Sequence, residues 1–185
     1  MSTPHALDAF ADAIGVVSQA VAGAAGVSHD LPTPCTEWNL GTLVRHVSDS
    51  ARSLQEILWG APPGLLPPPG CAAAQATLRE LAAVVMGASR EAPAVALTAL
   101  TGSYELAIHA WDIAETTRNG PALPTPLVEA LLTYAPIVLA DVDRAGLFAA
   151  PRDPAGRRSD NDRLLAMFGR APEWRSTGKP DGTRS

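Results

Sequence analysis

Near the amino terminus, apolar residues recur at spacings of three and four. Leu7, Phe10, Ile14, Val17 and Val21 form one stripe with the helical period, which predicts an amphipathic helix from about Ala6 to Ala25. A second stripe, Leu40, Leu43, Val44, Val47, Ala51, Leu54 and Leu58, predicts a helix ending near Trp59, with Asn39 as its cap. His46 falls at the edge of this stripe, turned about 100° from each of its neighbours, neither central in the core nor opposite it. Leu78, Leu81, Val84 and Val85 mark a third, alanine-rich helix over Ala72 to Ala88.

The fourth helix is predicted from about Val95 to Thr117. Leu97, Leu100, Tyr104, Ile108 and Trp111 make its apolar stripe, and Glu105, His109 and Asp112 make a polar stripe directly beside it. A polar stripe that adjoins a core face, instead of opposing it, departs from the usual solvent-facing arrangement. Gly102 weakens this helix by about 1 kcal/mol relative to alanine and would allow a neighbour to pack closely. Thr125-Pro126 reads as a cap with proline at the first helical position, opening a fifth helix to about Ala145, and Pro136 inside it predicts a kink. Ser159 caps a short last helix, Asp160 to Phe168, stopped by Gly169.

The intervening stretches carry turn and breaker residues. Pro32 and Pro34 mark a loop over Ser28 to Trp38, the Gly60–Gly70 stretch is proline-rich, Pro93 interrupts the chain, and Asn119-Gly120-Pro121 ends the fourth helix. Phe148 to Arg158 also reads as loop. No strand and no internal repeat is predicted. The fold class is therefore all-α: one domain over 1–174 made of amphipathic helices, and a disordered tail over 175–185.

Composition narrows the function classes. The chain has 185 residues, 46% of them hydrophobic and 18% charged, enough for one substantial core. The net charge of -5 excludes the basic face that a nucleic-acid binder would present. No uninterrupted apolar run reaches the length of a membrane span, and Met1-Ser2-Thr3-Pro4-His5 lacks the basic and apolar regions of a secretory signal. Two cysteines, Cys35 and Cys71, are too few for a disulfide framework, so a reducing, cytoplasmic location is expected.

The chemistry is concentrated on the fourth helix. Glu105 and His109 are i and i+4, so they lie one above the other on one face, and a carboxylate with an imidazole supplies two ligands of a divalent-metal site. Such a pair also occurs as an ordinary helical surface pair, and a third ligand must come from elsewhere; His46 is the best placed. Two histidines and a carboxylate with an open position suit zinc, and also nickel or iron. Asp112, at i+3 from His109, is either a fourth ligand or a group that holds His109. Cys35, between Pro34 and Thr36, is either a reactive thiol or a small buried residue before the second helix, and Trp111 reads as core. His5 and His29 lie outside the pattern.

Three segments carry a family resemblance. Thr33-Pro34-Cys35-Thr36-Glu37-Trp38-Asn39-Leu40 with Leu43-Val44-Arg45-His46-Val47 resembles the opening motif of the mycothiol-dependent maleylpyruvate isomerase amino-terminal-domain family, a branch of the DinB-like metal-binding four-helix bundles. Tyr104 to Ala114 is similar to its second motif, and Asp162 to Trp174 to the carboxyl end of a compact branch. The resemblance implies that His46, Glu105 and His109 bind one divalent metal in a cavity of the bundle. It further implies that the metal serves a low-molecular-weight thiol of the mycothiol type, whose thiolate attacks a small electrophile in a transferase or isomerase reaction. The sequence after the bundle is too short for the further domain of the full isomerase, so maleylpyruvate isomerisation itself is not the expected reaction. The alternative is a non-catalytic metal-binding or sensor module of the same fold. Arg45, Arg52, Arg79 and Arg90 are candidate partners for an anionic substrate by charge alone. A homodimer suits a small bundle, but the sequence marks no interface.

Overall fold

A computed structural model of the chain describes residues 3–36, 38–60, 68–88, 92–139, 149–153 and 159–175. Six α-helices follow one another: α1 Thr3–Gly23, α2 Leu40–Trp59, α3 Cys71–Gly87, α4 Pro93–Thr117, α5 Thr125–Val138 and α6 Asp160–Met167. Among the described residues the only β feature is an isolated bridge between Pro32 and Asn39. The chain is thus all-α, as the periodicity predicts.

Most helix ends obey local chemistry. The Asn39 side chain accepts from the Thr42 amide at 2.9 Å and starts α2. Ser159 and Asp162 form a reciprocal capping box at the start of α6. Two starts differ from expectation. Pro93 does not interrupt the chain before α4 but opens it, because proline lacks the amide that the first helical position leaves unpaired anyway. Thr125 is the first residue of α5 instead of its cap: Pro124 holds that position, and no side chain caps the helix. α5 runs on past Pro136 to Val138; residues 140–145, which the sequence assigns to it, lie outside the described residues. Most of the Gly60–Gly70 and Phe148–Arg158 loops, and the tail after Arg175, also lie outside them.

α4 is the central element. From Gly102 to Ile113 every residue except Glu105 is buried, because α1, α2 and α5 all pack on it. The expected apolar stripe fails only at its start, where Leu97 is exposed. α1 contributes Leu7, Phe10, Ile14, Val17 and Val21, all buried. Its Ala6–Gly23 stretch is by length and composition apolar enough to cross a membrane, although Asp8 and Asp12 interrupt its apolar run. That apolar side faces the core, however, and Asp8 and Asp12 are exposed, which is compatible with a soluble protein.

Gly102 sets how close the helices come. A Cβ there would lie 2.7 Å from Phe10 Cε2 and 3.0 Å from Leu54 Cδ2, so α1 and α2 both close on α4 at this point. Leu54 is two helical turns beyond His46 on α2, so the same packing that seats Leu54 brings His46 toward Glu105. α6 docks through Phe168, which stacks on Tyr104 with ring centroids 5.3 Å apart, and the Tyr104 hydroxyl donates to Leu131 O in α5.

Replacing Gly102 by valine forces atoms into this contact and is expected to cost about 1–3 kcal/mol. Urea unfolding should show a lower midpoint with an unchanged slope; an unchanged midpoint would mean that the contact is looser than described.

Candidate metal centre

α4 carries Glu105 and His109 on one face, and α2 brings His46 across to them. Glu105 Oε1 lies 2.6 Å from His46 Nε2 and 3.5 Å from His109 Nε2. The three ligand atoms all lie within 4.8 Å of one another. The structure therefore brings together the three residues that the sequence singles out, and their donors (two imidazole nitrogens and a carboxylate oxygen) suit a divalent ion. Ser50, one turn after His46 on α2, donates to the same Glu105 oxygen at 2.8 Å. The Glu105 and His46 side chains are 26% and 34% exposed, against 9% for His109, so the cluster opens to solvent on the side of the first two.

Burial by itself would raise the pKa of Glu105. The hydrogen bond from His46, the positive charge available on His109 and His46, and the Ser50 hydroxyl outweigh it and hold the carboxyl at about 2. Glu105 is thus an ionised oxygen donor throughout the neutral range.

Asp112 lies behind His109. Its Oδ2 is 3.0 Å from His109 Nδ1, on the opposite edge of the ring from the nitrogen that faces Glu105. The imidazole fills the space between Asp112 and the other donors. Asp112 is therefore placed as a group that holds His109, not as an extra ligand beside His46 and Glu105. With Nδ1–H donating to the Asp112 carboxylate, the ring is held so that Nε2 faces Glu105.

A second triad, Cys35, His109 and Asp112, also has metal-binding atoms in proximity. A cation already occupies it. Arg170 donates through Nε to Asp112 Oδ1 at 2.9 Å and through one terminal nitrogen to Oδ2 at 2.7 Å; the same terminal nitrogen lies 2.8 Å from Cys35 Sγ. A metal ion there would have to displace a guanidinium from a carboxylate with no exposed surface. Of the two triads, the one built on His46, Glu105 and His109 is the open one.

Three residues at the site were not identified from sequence: Arg170, Ser50 and Trp38. Arg170 follows Gly169, whose φ of 74° closes a Schellman turn: the Gly169 amide bonds Ala166 O at 3.0 Å and the Arg170 amide bonds Leu165 O at 2.9 Å. The helix stop was legible, but nothing local says that the next side chain points inward. Trp38 flanks both histidines, with ring centroids 4.5 Å from His46 and 5.8 Å from His109. It is placed by a turn in which its amide bonds Cys35 O at 2.9 Å, and the buried Thr33 hydroxyl spans Cys35 O and Trp38 O. The arginines nominated by charge are elsewhere: Arg52 pairs with Glu56, Arg45 and Arg79 are exposed, and Arg90 lies outside the described residues. Exposed His29 sits beside Cys71 and takes no part. Trp111 is buried, as expected of a core residue. A groove of about 560 Å³ between the carboxyl-terminal halves of α2 and α3, bounded by Leu58, Trp59 and Val84, shares no residue with the site.

Cys35 is half-buried before α2, and its surroundings disfavour the thiolate. Burial and the neighbouring Asp112 carboxylate push its thiol far above the ordinary thiol range, more than Arg170 pulls it down. The S–H donates to Asp112 Oδ2 at 3.2 Å while the sulfur accepts from Arg170. Alkylation by iodoacetamide at neutral pH is expected to label Cys71 well before Cys35, read by peptide mass spectrometry. Faster labelling of Cys35 would restore it as a nucleophile.

In comparisons with known proteins, the chain matches no family model, no curated protein and no solved structure. What can be said of its chemistry comes from the residues themselves.

Proposed function

We propose that this chain binds one divalent metal through His46, Glu105 and His109 and uses it, with a low-molecular-weight thiol of the mycothiol type, to transfer or isomerise a small electrophile. The observation that carries the reading is the convergence of His46 Nε2, Glu105 Oε1 and His109 Nε2 on the solvent side of α4. On this reading α1 to α4 form a DinB-like bundle, and His46, Glu105 and His109 hold the ligand roles that the family resemblance implies.

Three protein ligands with a solvent-facing side are the pattern of a site that keeps a position for water or substrate, whereas purely structural sites are closed by four protein ligands. Bound there, a zinc ion, or nickel or iron with the same donors, would act as a Lewis acid toward a thiol and favour its nucleophilic thiolate. The protein's own part is to position. Ser50 turns Glu105 toward the histidines, Asp112 keeps the His109 Nε2 lone pair outward, and Trp38 walls the two imidazoles with an apolar surface. Cys35 stays a thiol and takes no part in attack, so the nucleophilic sulfur comes from the small thiol. A non-catalytic sensor would share the ligands but would lack turnover.

Protein purified without a histidine tag should contain about one metal per chain by elemental analysis, and Glu105→Ala or His46→Ala should remove it. Metal at about 100 times its Kd adds about 2.7 kcal/mol of stability. For a chain of this size that raises Tm by about 5–10 °C. A Tm that does not move with zinc would remove the metal reading.

Metal-loaded protein should consume mycothiol in the presence of an electrophile, and His46→Ala should abolish this. Metal binding without thiol consumption would leave the sensor reading in its place.

A further inference from the structure

The buried pair of Asp112 and Arg170 does more than fill the core, because Asp112 also touches His109. Arg170 is only 7% exposed and is separated from Asp112 by 58 positions. Its guanidinium donates side-on, Nε to Oδ1 and a terminal nitrogen to Oδ2, and this two-pronged geometry fixes both the position and the plane of the carboxylate. The other terminal nitrogen donates to Phe168 O at 3.2 Å, which ties the guanidinium to the turn that delivers it. Among the described residues, Asp112 Oδ2, so oriented, is the one partner of His109 Nδ1 at a hydrogen-bond distance below 3.5 Å.

We propose that Arg170 is a positioning residue for the candidate metal centre: through Asp112 it holds the His109 ring with Nε2 toward Glu105, and it thereby couples docking of the turn after α6 to metal affinity. The inference rests on the metal reading given above and names a residue and a dependence beyond it. Two physical points support the coupling. The chain Arg170–Asp112–His109 is continuous, with contacts of 2.7 to 3.0 Å. Its members are nearly or wholly buried, so water cannot replace the guanidinium as donor to the carboxylate. By linkage, if docking of the turn strengthens metal binding, metal binding strengthens docking of the turn by the same factor.

Lysine at this position would keep the charge but cannot donate side-on to both oxygens. Arg170→Lys should weaken zinc binding about 10–100-fold in chelator competition, the range for losing an outer partner of a ligand histidine. In the zinc-free protein, the ¹⁵N shift of His109 Nδ1 should change as its hydrogen bond to Asp112 is weakened. Val85→Ala is the control: it removes core contacts in α3, away from the turn and from Asp112, and should leave zinc affinity and the imidazole signals close to wild type. The inference is overturned if Arg170→Lys keeps wild-type zinc affinity and imidazole shifts, or if Val85→Ala changes both as much.

Hydrogen exchange on the unaltered chain supplies a test that does not depend on a variant folding. Zinc should slow the Gly169 and Arg170 amides more than the Ala88 amide at the end of α3, and equal slowing counts against the coupling. Wild-type protein that binds no zinc would instead remove the metal reading, while the imidazole signals still decide whether Arg170 holds the ring.

Discussion

A carboxylate with no exposed surface organises this molecule. Asp112 sits in the continuously buried stretch of α4 that follows Glu105, where an unpaired charge would cost several kcal/mol. It remains ionised because Arg170 and His109 donate to it, which holds its pKa below the ordinary carboxyl range against the effect of burial. Meeting that requirement recruits three distant parts of the chain. α4 supplies Asp112 and His109, the 33–38 loop supplies Cys35, and the turn after α6 supplies Arg170. The carboxyl-terminal turn is therefore not an appendage: it completes the core at its most polar point.

The same arrangement divides the polar interior into two halves that share one imidazole. On the Nδ1 side of His109 the charges are already matched, with Arg170 between Asp112 and Cys35. On the Nε2 side, Glu105 and His46 face the same ring with part of their surface in solvent. A cation built into the protein occupies one half, and the donors for an added cation gather in the other. This asymmetry separates two ligand sets that look alike by residue type alone, and on the matched side burial and Asp112 push the Cys35 thiol up although it lies only 4.0 Å from His109 Nδ1.

Much of the helical architecture was legible because helices report themselves locally. Apolar residues at the helical period located the first four, cap, proline and glycine signals located the last two, and Asn39, Ser159 and Gly169 act as the caps and stop that they suggest. The misplaced starts at Pro93 and Thr125 are shifts of one or two residues, at positions where proline fits either just outside or just inside the first turn. The exposure of Leu97 was not legible. A stripe says which residues share a face, but not how far along that face the neighbouring helix extends.

The candidate site divides along the same line. Sequence alone determined that Glu105, His109 and Asp112 share one side of one helix, because a rigid period relates residues three, four and seven apart. It also nominated His46 by residue type and by its place at the edge of a stripe. Only the tertiary structure decided that His46 meets Glu105 across 59 positions, that Asp112 stands behind His109 and not beside it, and that Arg170 reaches in from a turn 58 positions away. No local period links such residues. Their meeting depends on how α2, α4 and the carboxyl-terminal turn pack, and that is set by the volumes of Gly102, Phe10, Leu54 and Phe168 together.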